Sequence, residues 1–292
     1  MDGVGFIGLG QMGAAMAAHL VNHRGGLHLF DIRLNAADEL VQSGAHRCES
    51  IADLAQRCEL VELMVVDDDQ VRDVCCGPDG VIAHARDRAI IAVHSTIHPD
   101  TAVQLGHVVA NQRPDMSVID APVSGGFIAA LDANLAVMVG GDAEAVERAR
   151  STMECWASLV IHLGPLGAGT RAKLARNLLH FISFTAANEA QQLAEAYGID
   201  LRSLARVIRH TDRITGGASS IMLRDHTRPL EPDDEWYDTL TRVRSLGEKD
   251  LALALDLADE VNLDLPLASV AFEQFAQSLG LQPGSDSTRR RP

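Results

Sequence analysis

Short apolar runs alternate with stretches of helical spacing through the first half of the chain. VGFIGLG (4–10) reads as a strand running into a turn, and QMGAAMAAHLVNH (11–23) carries apolar residues at helical spacing. LHLFD (27–31) predicts a second strand, and ADELVQSGA a helix closed by Gly44. LVELMVV (60–66), AIIAVHS (89–95) and MSVIDAP (116–122) predict further strands, with VQLGHVVAN (103–111) helical between the last two. ANLAVMVGG (133–141) and SLVIHLG (158–164) complete the strands, around a helix at about 143–154. Strands alternating with helices predict βαβ units, and hence an α/β fold with a doubly wound, mainly parallel sheet of the Rossmann type. From about 165 onward the strand signal stops, and helical periodicity fills 170–197, 200–210, 239–260 and 266–279. The pattern therefore predicts a sheet domain over 1–163 and an all-α domain over 164–292. QPGSDSTRRRP at the end reads as a disordered tail from about 282. There is no internal repeat.

Composition narrows the function classes. At 292 residues and 47% hydrophobic, the chain can build a real core. A net charge of −15 argues against nucleic acid and anionic membrane surfaces as partners. No apolar run approaches the roughly 18 residues of a membrane span. The first residues, MDGVGFIGLG, enter a strand pattern with neither the basic nor the apolar region of a signal peptide. The cysteines at 48, 58, 75, 76 and 155 form no CxxC pair and read as reduced thiols, so a cytoplasmic location is expected. His94 and His98 do not make a zinc motif, and no metal site is expected.

Gly8, Gly10 and Gly13 spell G-x-G-x-x-G at a strand-to-helix junction. The first glycine permits a tight turn, the second a close approach of backbone to pyrophosphate, and the third close packing of helix on strand. The helix N-terminus offers amides and the positive end of a dipole. Asp31 follows at the end of the second strand, where a carboxylate can accept hydrogen bonds from ribose hydroxyls and repel a 2′-phosphate. NAD is the expected cofactor, with NADP possible because Arg33 stands close by. Asp67, Asp68 and Asp69 would also disfavour NADP if they pointed inward; the alternative is a solvated loop.

A second glycine-rich stretch, GPLGAGTRAKLARN (164–177), is not a P-loop, because Thr170 rather than lysine follows its last glycine. Lys173 and Asn177 stand four residues apart, so an ammonium and a carboxamide share one helix face. A lysine there can pass a proton to or from a substrate oxygen as hydride moves. From the spacing alone it could equally be a solvated helix lysine.

Four motifs in order make the chain resemble the β-hydroxyacid dehydrogenase family, which includes 3-hydroxyisobutyrate dehydrogenases and tartronate semialdehyde reductases. They are GFIGLGQMGAAMAAHL, DAPVSGG (120–126), GPLGAGTRAKLARN and EKDLALAL (248–255). The resemblance implies hydride transfer between a nicotinamide cofactor and a small 3-hydroxy acid or semialdehyde. It makes Lys173 the general acid/base and Asn177 a substrate-orienting group. It places the substrate carboxylate on Ser124, Gly125 and Gly126. It assigns the cofactor to Gly8, Leu9, Gly10, Gln11, Met12, Gly13, Asp31, Ile32, Val65, Val66, Thr96 and Lys249. Val65 and Val66 stand where the family usually has Leu-Pro. Ser220 and the TLTRVRSLG stretch lack aromatics often found in the family, which would widen the substrate pocket. Two other readings keep the fold. Imine reductases reduce C=N bonds but usually replace the lysine, and a non-catalytic nucleotide sensor would need neither Lys173 nor Ser124. The small and apolar residues of 170–197, among them Ala172, Ala175, Leu178, Leu179, Ala186, Ala187, Ala190 and Leu193, exceed what one helical domain can bury. They predict a homodimer or homotetramer.

Overall fold

In chain order the elements are β1 (Val4–Ile7), α1 (Gln11–Ala18), β2 (Leu27–Phe30), α2 (Asp38–Gln42), β3 (His46–Arg47), α3 (Ile51–Arg57) and β4 (Leu60–Leu63). α4 (Asp68–Cys76), α5 (Val81–His84), β5 (Ile90–Val93), α6 (Pro99–Gln112), β6 (Ser117–Asp120), β7 (Val123–Ser124) and α7 (Gly126–Leu131) follow. β8 (Leu135–Gly141), α8 (Ala143–Met153) and β9 (Ala157–Gly164) complete the sheet, before α9 (Ala168–Ala196), α10 (Leu201–Thr215), α11 (Tyr237–Glu260) and α12 (Pro266–Ser278). The computed structural model describes residues 2–224 and 226–282, so the expected tail beyond 282 lies outside the described residues.

Two compact units divide the chain, Met1–Arg176 and Asn177–Pro292. The first is the sheet unit. Its strands order β3-β2-β1-β4-β5-β6-β8, with β7 and β9 both on β8. Pairs from β3 to β6 are parallel, as the sequence pattern predicts. β1, β4 and β5 are buried at every position, as a sheet covered on both faces requires. β8 runs antiparallel to β6 and β7. The chain reaches it through the short α7, and so short a connection cannot make a parallel crossover. One core layer holds Phe6, Met16, Leu20 and Trp156; the other holds Leu54, Val71, Ile82 and Leu105.

The hydrophobic pattern misses α3, α4 and α5 because they are short or polar. The starts of α3 and α4 were still written in capping residues. Ser50 Oγ accepts the Asp53 amide at 3.0 Å to begin α3, and Asp67 Oδ1 accepts the Gln70 amide at 2.9 Å to begin α4. The acidic stretch 67–69 is thus neither a loop nor an inward-facing charge cluster. It is a helix start, with Asp68 and Asp69 in the first turn where the dipole favours them.

In the second unit, Leu230, Leu240, Leu279 and Leu281 make a small core with Trp236, Tyr237, Val243 and Phe275 around it. Glu189 on α9 is buried and accepts the amides of Leu267 and Ala268 at 2.7 and 2.8 Å, capping α12. α10 buries no residue, so Arg206, Arg209, His210 and Arg213 form a solvated face. Among the described residues, no helix is long and apolar enough to cross a membrane.

Candidate active site

The first glycine loop joins the carboxyl end of β1 to α1. Gly8 has φ +91°, and a Cβ there would strike the Met64 carbonyl, so glycine alone fits. Gly13 packs its Cα on the Gly8 carbonyl, which seats α1 tightly on β1. Gly10 is the N-cap of α1, and no side chain caps the helix. A Cβ at Gly10 would meet nothing within 4 Å. The turn thus presents uncapped amides beside open space, and a dinucleotide pyrophosphate fits that arrangement. Leu9 is buried, Met12 half-buried, and Gly10 and Gln11 exposed.

Asp31 stands just beyond β2 with its side chain mostly buried. The sequence leaves this carboxylate open to ribose hydroxyls, but the structure fills it. Oδ2 accepts the Leu9 amide at 2.7 Å and Arg33 Nη2 at 3.3 Å, while Oδ1 accepts the Arg33 amide at 2.8 Å and Arg33 Nε at 3.1 Å. Burial pushes the carboxyl's pKa up, but the Arg33 side chain and these amides outweigh it and hold Asp31 below the usual range. Arg33 also donates to the Leu9 carbonyl at 3.1 Å, so it straps Asp31 to the glycine loop. Ile32 beside it is exposed.

The ends of β4 and β5 are tied through a residue the sequence reading passed over. Ser95 Oγ donates to the Val65 carbonyl at 2.8 Å and accepts the Val65 amide at 2.9 Å. This clamp fixes half-buried Val65 and leaves Val66 and Thr96 exposed on either side. Gln70 Oε1 accepts the Val66 amide at 3.0 Å, and Asp68 Oδ1 accepts the His98 amide at 2.9 Å. Side chains of α4 therefore set both short turns.

The second glycine loop does cradle an anion, but the anion is the protein's own. Asp120 at the end of β6 is fully buried. Its Oδ1 accepts the Gly167 amide at 2.7 Å; its Oδ2 accepts the Thr170 amide at 2.6 Å and Thr170 Oγ1 at 2.8 Å. Gly169 makes the close approach possible, since a Cβ there would lie 2.6 Å from the Asp120 carbonyl. Asp120 sits inside an apolar run, MSVIDAP, and a carboxylate in a strand end is the signal that could have revealed it.

One turn further along α9, Lys173 is 9% exposed and its Nζ donates to the Val123 carbonyl at 2.6 Å. Burial lowers its pKa from the ordinary lysine value, with the Arg176 charge adding to the effect. It is therefore not a solvated helix lysine. Ser124, next to Val123, is half-buried, and the exposed pair Gly125 and Gly126 follows with φ +131° and +70°. Asn177 begins the C-terminal unit, four residues after Lys173 on the same helix, and is half-buried. Lys249 belongs to α11 of that unit, where its exposed Nζ pairs with Asp250 at 2.8 Å. So the sheet unit gathers the glycine loop, Asp31, Val65, Val66, Thr96, Ser124 and Lys173 at the carboxyl ends of its strands. This is where doubly wound sheets bind ligands.

The family model for the NAD binding domain of 6-phosphogluconate dehydrogenase matches residues 3–164. The model for the NAD-binding region of NADP-dependent 3-hydroxyisobutyrate dehydrogenase matches residues 167–289. The chain belongs to the 3-hydroxyisobutyrate dehydrogenase family. The NAD-dependent L-serine dehydrogenase of Pseudomonas aeruginosa is 33% identical over 94% of this chain and 91% of its own. The structure of Mycobacterium tuberculosis 3-hydroxyisobutyrate dehydrogenase with L-serine is 32% identical, with a TM-score of 0.67 over 95% of this chain and 93% of that one. A crystal structure of an oxidoreductase from Mycobacterium avium 104 is 48% identical, with a TM-score of 0.89 over 95% and 98%. An imine reductase from Myxococcus stipitatus, at 16% identity and a TM-score of 0.75 over 93% and 91%, shares the fold alone. The chain is an oxidoreductase, an NAD(P)-dependent hydroxyacid dehydrogenase.

Proposed function

We propose that the protein interconverts a small 3-hydroxy acid and its semialdehyde, prefers NAD to NADP, and works in the cytoplasm as a homodimer or larger homo-oligomer. The observation that carries this reading is Lys173: buried, lowered in pKa, and held on the carbonyl next to Ser124. In the oxidation, Lys173 Nζ takes the hydroxyl proton of the substrate; in the reduction it returns it. Burial favours the neutral amine that such a base needs. The Ser124 hydroxyl and the amides of Gly125 and Gly126 hold the substrate carboxylate, where the two glycines leave the amides unobstructed. Asn177 orients the reacting oxygen. The glycine loop from Gly8 to Gly13, with Leu9, Gln11 and Met12, holds the pyrophosphate, and Asp31 and Ile32 meet the adenosine end. Val65, Val66 and Thr96 flank the nicotinamide side. The nicotinamide, when bound, supplies the hydride acceptor.

The substrate test is kcat/KM with NAD and with NADP across a panel that includes 3-hydroxyisobutyrate, L-serine and simple amines. Turnover of a hydroxy acid is expected and turnover of an amine is not. Lys173→Ala should lower kcat by about 10²- to 10⁴-fold, with NADH binding by fluorescence little changed. Lys173→Arg should rescue poorly, because a guanidinium keeps its proton near neutral pH. Near-normal turnover in the arginine variant overturns the acid/base role.

A further inference from the structure

The segment from Asp120 to Ser124 touches α9 at two points. The Asp120 carboxylate takes the amides of Gly167 and Thr170 and the Thr170 hydroxyl, at 2.6 to 2.8 Å. Three residues later, the Val123 carbonyl takes Lys173 Nζ at 2.6 Å. The first contact holds the start of the helix, and the second holds a side chain one turn further on. Two points fix both the height of a helix and its roll about its axis; one point would leave the roll free. The backbones leave no slack for adjustment. A Cβ at Gly140 would lie 2.8 Å from the amides of Ala168 and Gly169, and one at Gly169 would lie 3.0 Å from the Gly140 amide. Because Asp120 is fully buried, its charge-assisted hydrogen bonds face no competition from water.

We propose that Asp120 is a positioning residue for Lys173, fixing the first turn of α9 so that Nζ arrives beside Ser124. The segment that would bind the substrate carboxylate is then also the jig that sets the acid/base at the reacting carbon. This role rests on Lys173 acting as the acid/base. Asparagine at 120 would keep one acceptor oxygen but turn an amino group toward a backbone N–H, which leaves that donor unsatisfied and loosens the helix start.

The test uses the full chain, NAD, and both L-serine and 3-hydroxyisobutyrate. Asp120→Asn should lower kcat about 10- to 100-fold, with the NADH dissociation constant unchanged within about twofold. Thr170→Val removes one of the three hydrogen bonds and should cost a few-fold. The decisive measurement is the double-variant cycle, since coupled residues are non-additive. In a Lys173→Ala background, Asp120→Asn and Thr170→Val should remove nothing further from the residual rate, whereas a merely structural carboxylate would lower it again. A further loss in that background, or full activity in both single variants, overturns the positioning role alone. Near-normal turnover in Lys173→Ala itself overturns the acid/base reading, and the positioning role with it.

Discussion

Arg33 holds Asp31 through its amide, Nε and Nη2, and the Leu9 amide completes the set, so the carboxylate's four acceptor sites are used. A ribose that is to bind Asp31 must displace the guanidinium, and a 2′-phosphate would find that same guanidinium in reach. The balance between NAD and NADP is therefore a property of the pair. Arg33→Ala should free the carboxylate and remove the cation that straps it. The ratio of kcat/KM for NAD over NADP should rise about tenfold, as expected for the loss of a charge-assisted hydrogen bond; an unchanged ratio would show that Arg33 plays no part in the choice. Asp31 and Arg33 are both visible in the sequence, but their strap is not. It depends on the turn after β2 bringing the arginine back over its neighbour. Lys173 shows the converse, since spacing put it on a helix face but it is burial that chiefly lowers its pKa.

At the scale of strands, β4 and the residue just past β5 carry a buried pair that the proposed chemistry does not use. Glu62 and His94 have no exposed side-chain surface, and Glu62 Oε1 lies 3.9 Å from His94 Nε2. His94 Nδ1 bonds the Ala121 carbonyl at 2.8 Å, and the Trp156 ring stands edge-on at 5.1 Å. Among the described residues, neither Glu62 oxygen, nor His94 Nε2, nor Trp156 Nε1 has a hydrogen-bond partner. Burial pushes Glu62 up to about 8 from 4.5, with the facing indole N–H pulling the other way. Burial likewise takes His94 down to about 4 from 6.5, against the Ala121 hydrogen bond. Above pH 4.5 the unfolded chain gives up the Glu62 proton while the folded chain keeps it, so stability falls as pH rises toward about 8. His94 works oppositely, costing stability as pH falls from 6.5 to about 4. Above 6.5 the Glu62 slope stands alone, worth on the order of 2 kcal/mol by pH 8. Melting curves of the wild type should fall over that interval, and those of Glu62→Gln should stay flatter; parallel curves would show that Glu62 is already ionised in the folded state. LVELMVV reads correctly as a strand, yet its alternation gives no hint that the glutamate faces a histidine and a tryptophan. That meeting is made by strand order. The long strands and helices were legible because burial imposes a period on them. α3 and α4 were not, since capping residues rather than apolar stripes define them.

For the whole molecule, α9 is the element that matters most. Leu178, Phe181 and Phe184 are 63%, 58% and 56% exposed, and they extend the apolar set read from the sequence by two aromatic rings. A stripe of that size needs a cover, which supports assembly through the helical half of the chain. Light scattering at micromolar concentration should give at least twice the chain mass, and Phe181→Asp should shift the population toward monomer. A monomeric wild type would contradict the assembly. The first two turns of the same helix belong to the sheet unit, where Asp120 fills the helix start from within. The chain thus owns two helix starts of opposite character. The one at Gly10 has no side-chain cap of its own, so a nucleotide phosphate held there, as proposed above, would compete with inorganic phosphate. The one at Gly167 is closed by a tethered carboxylate that no dissolved ion can dilute or displace. Dissolved phosphate would therefore contest the proposed loading of the glycine loop, while the start of α9 is already filled by the chain itself.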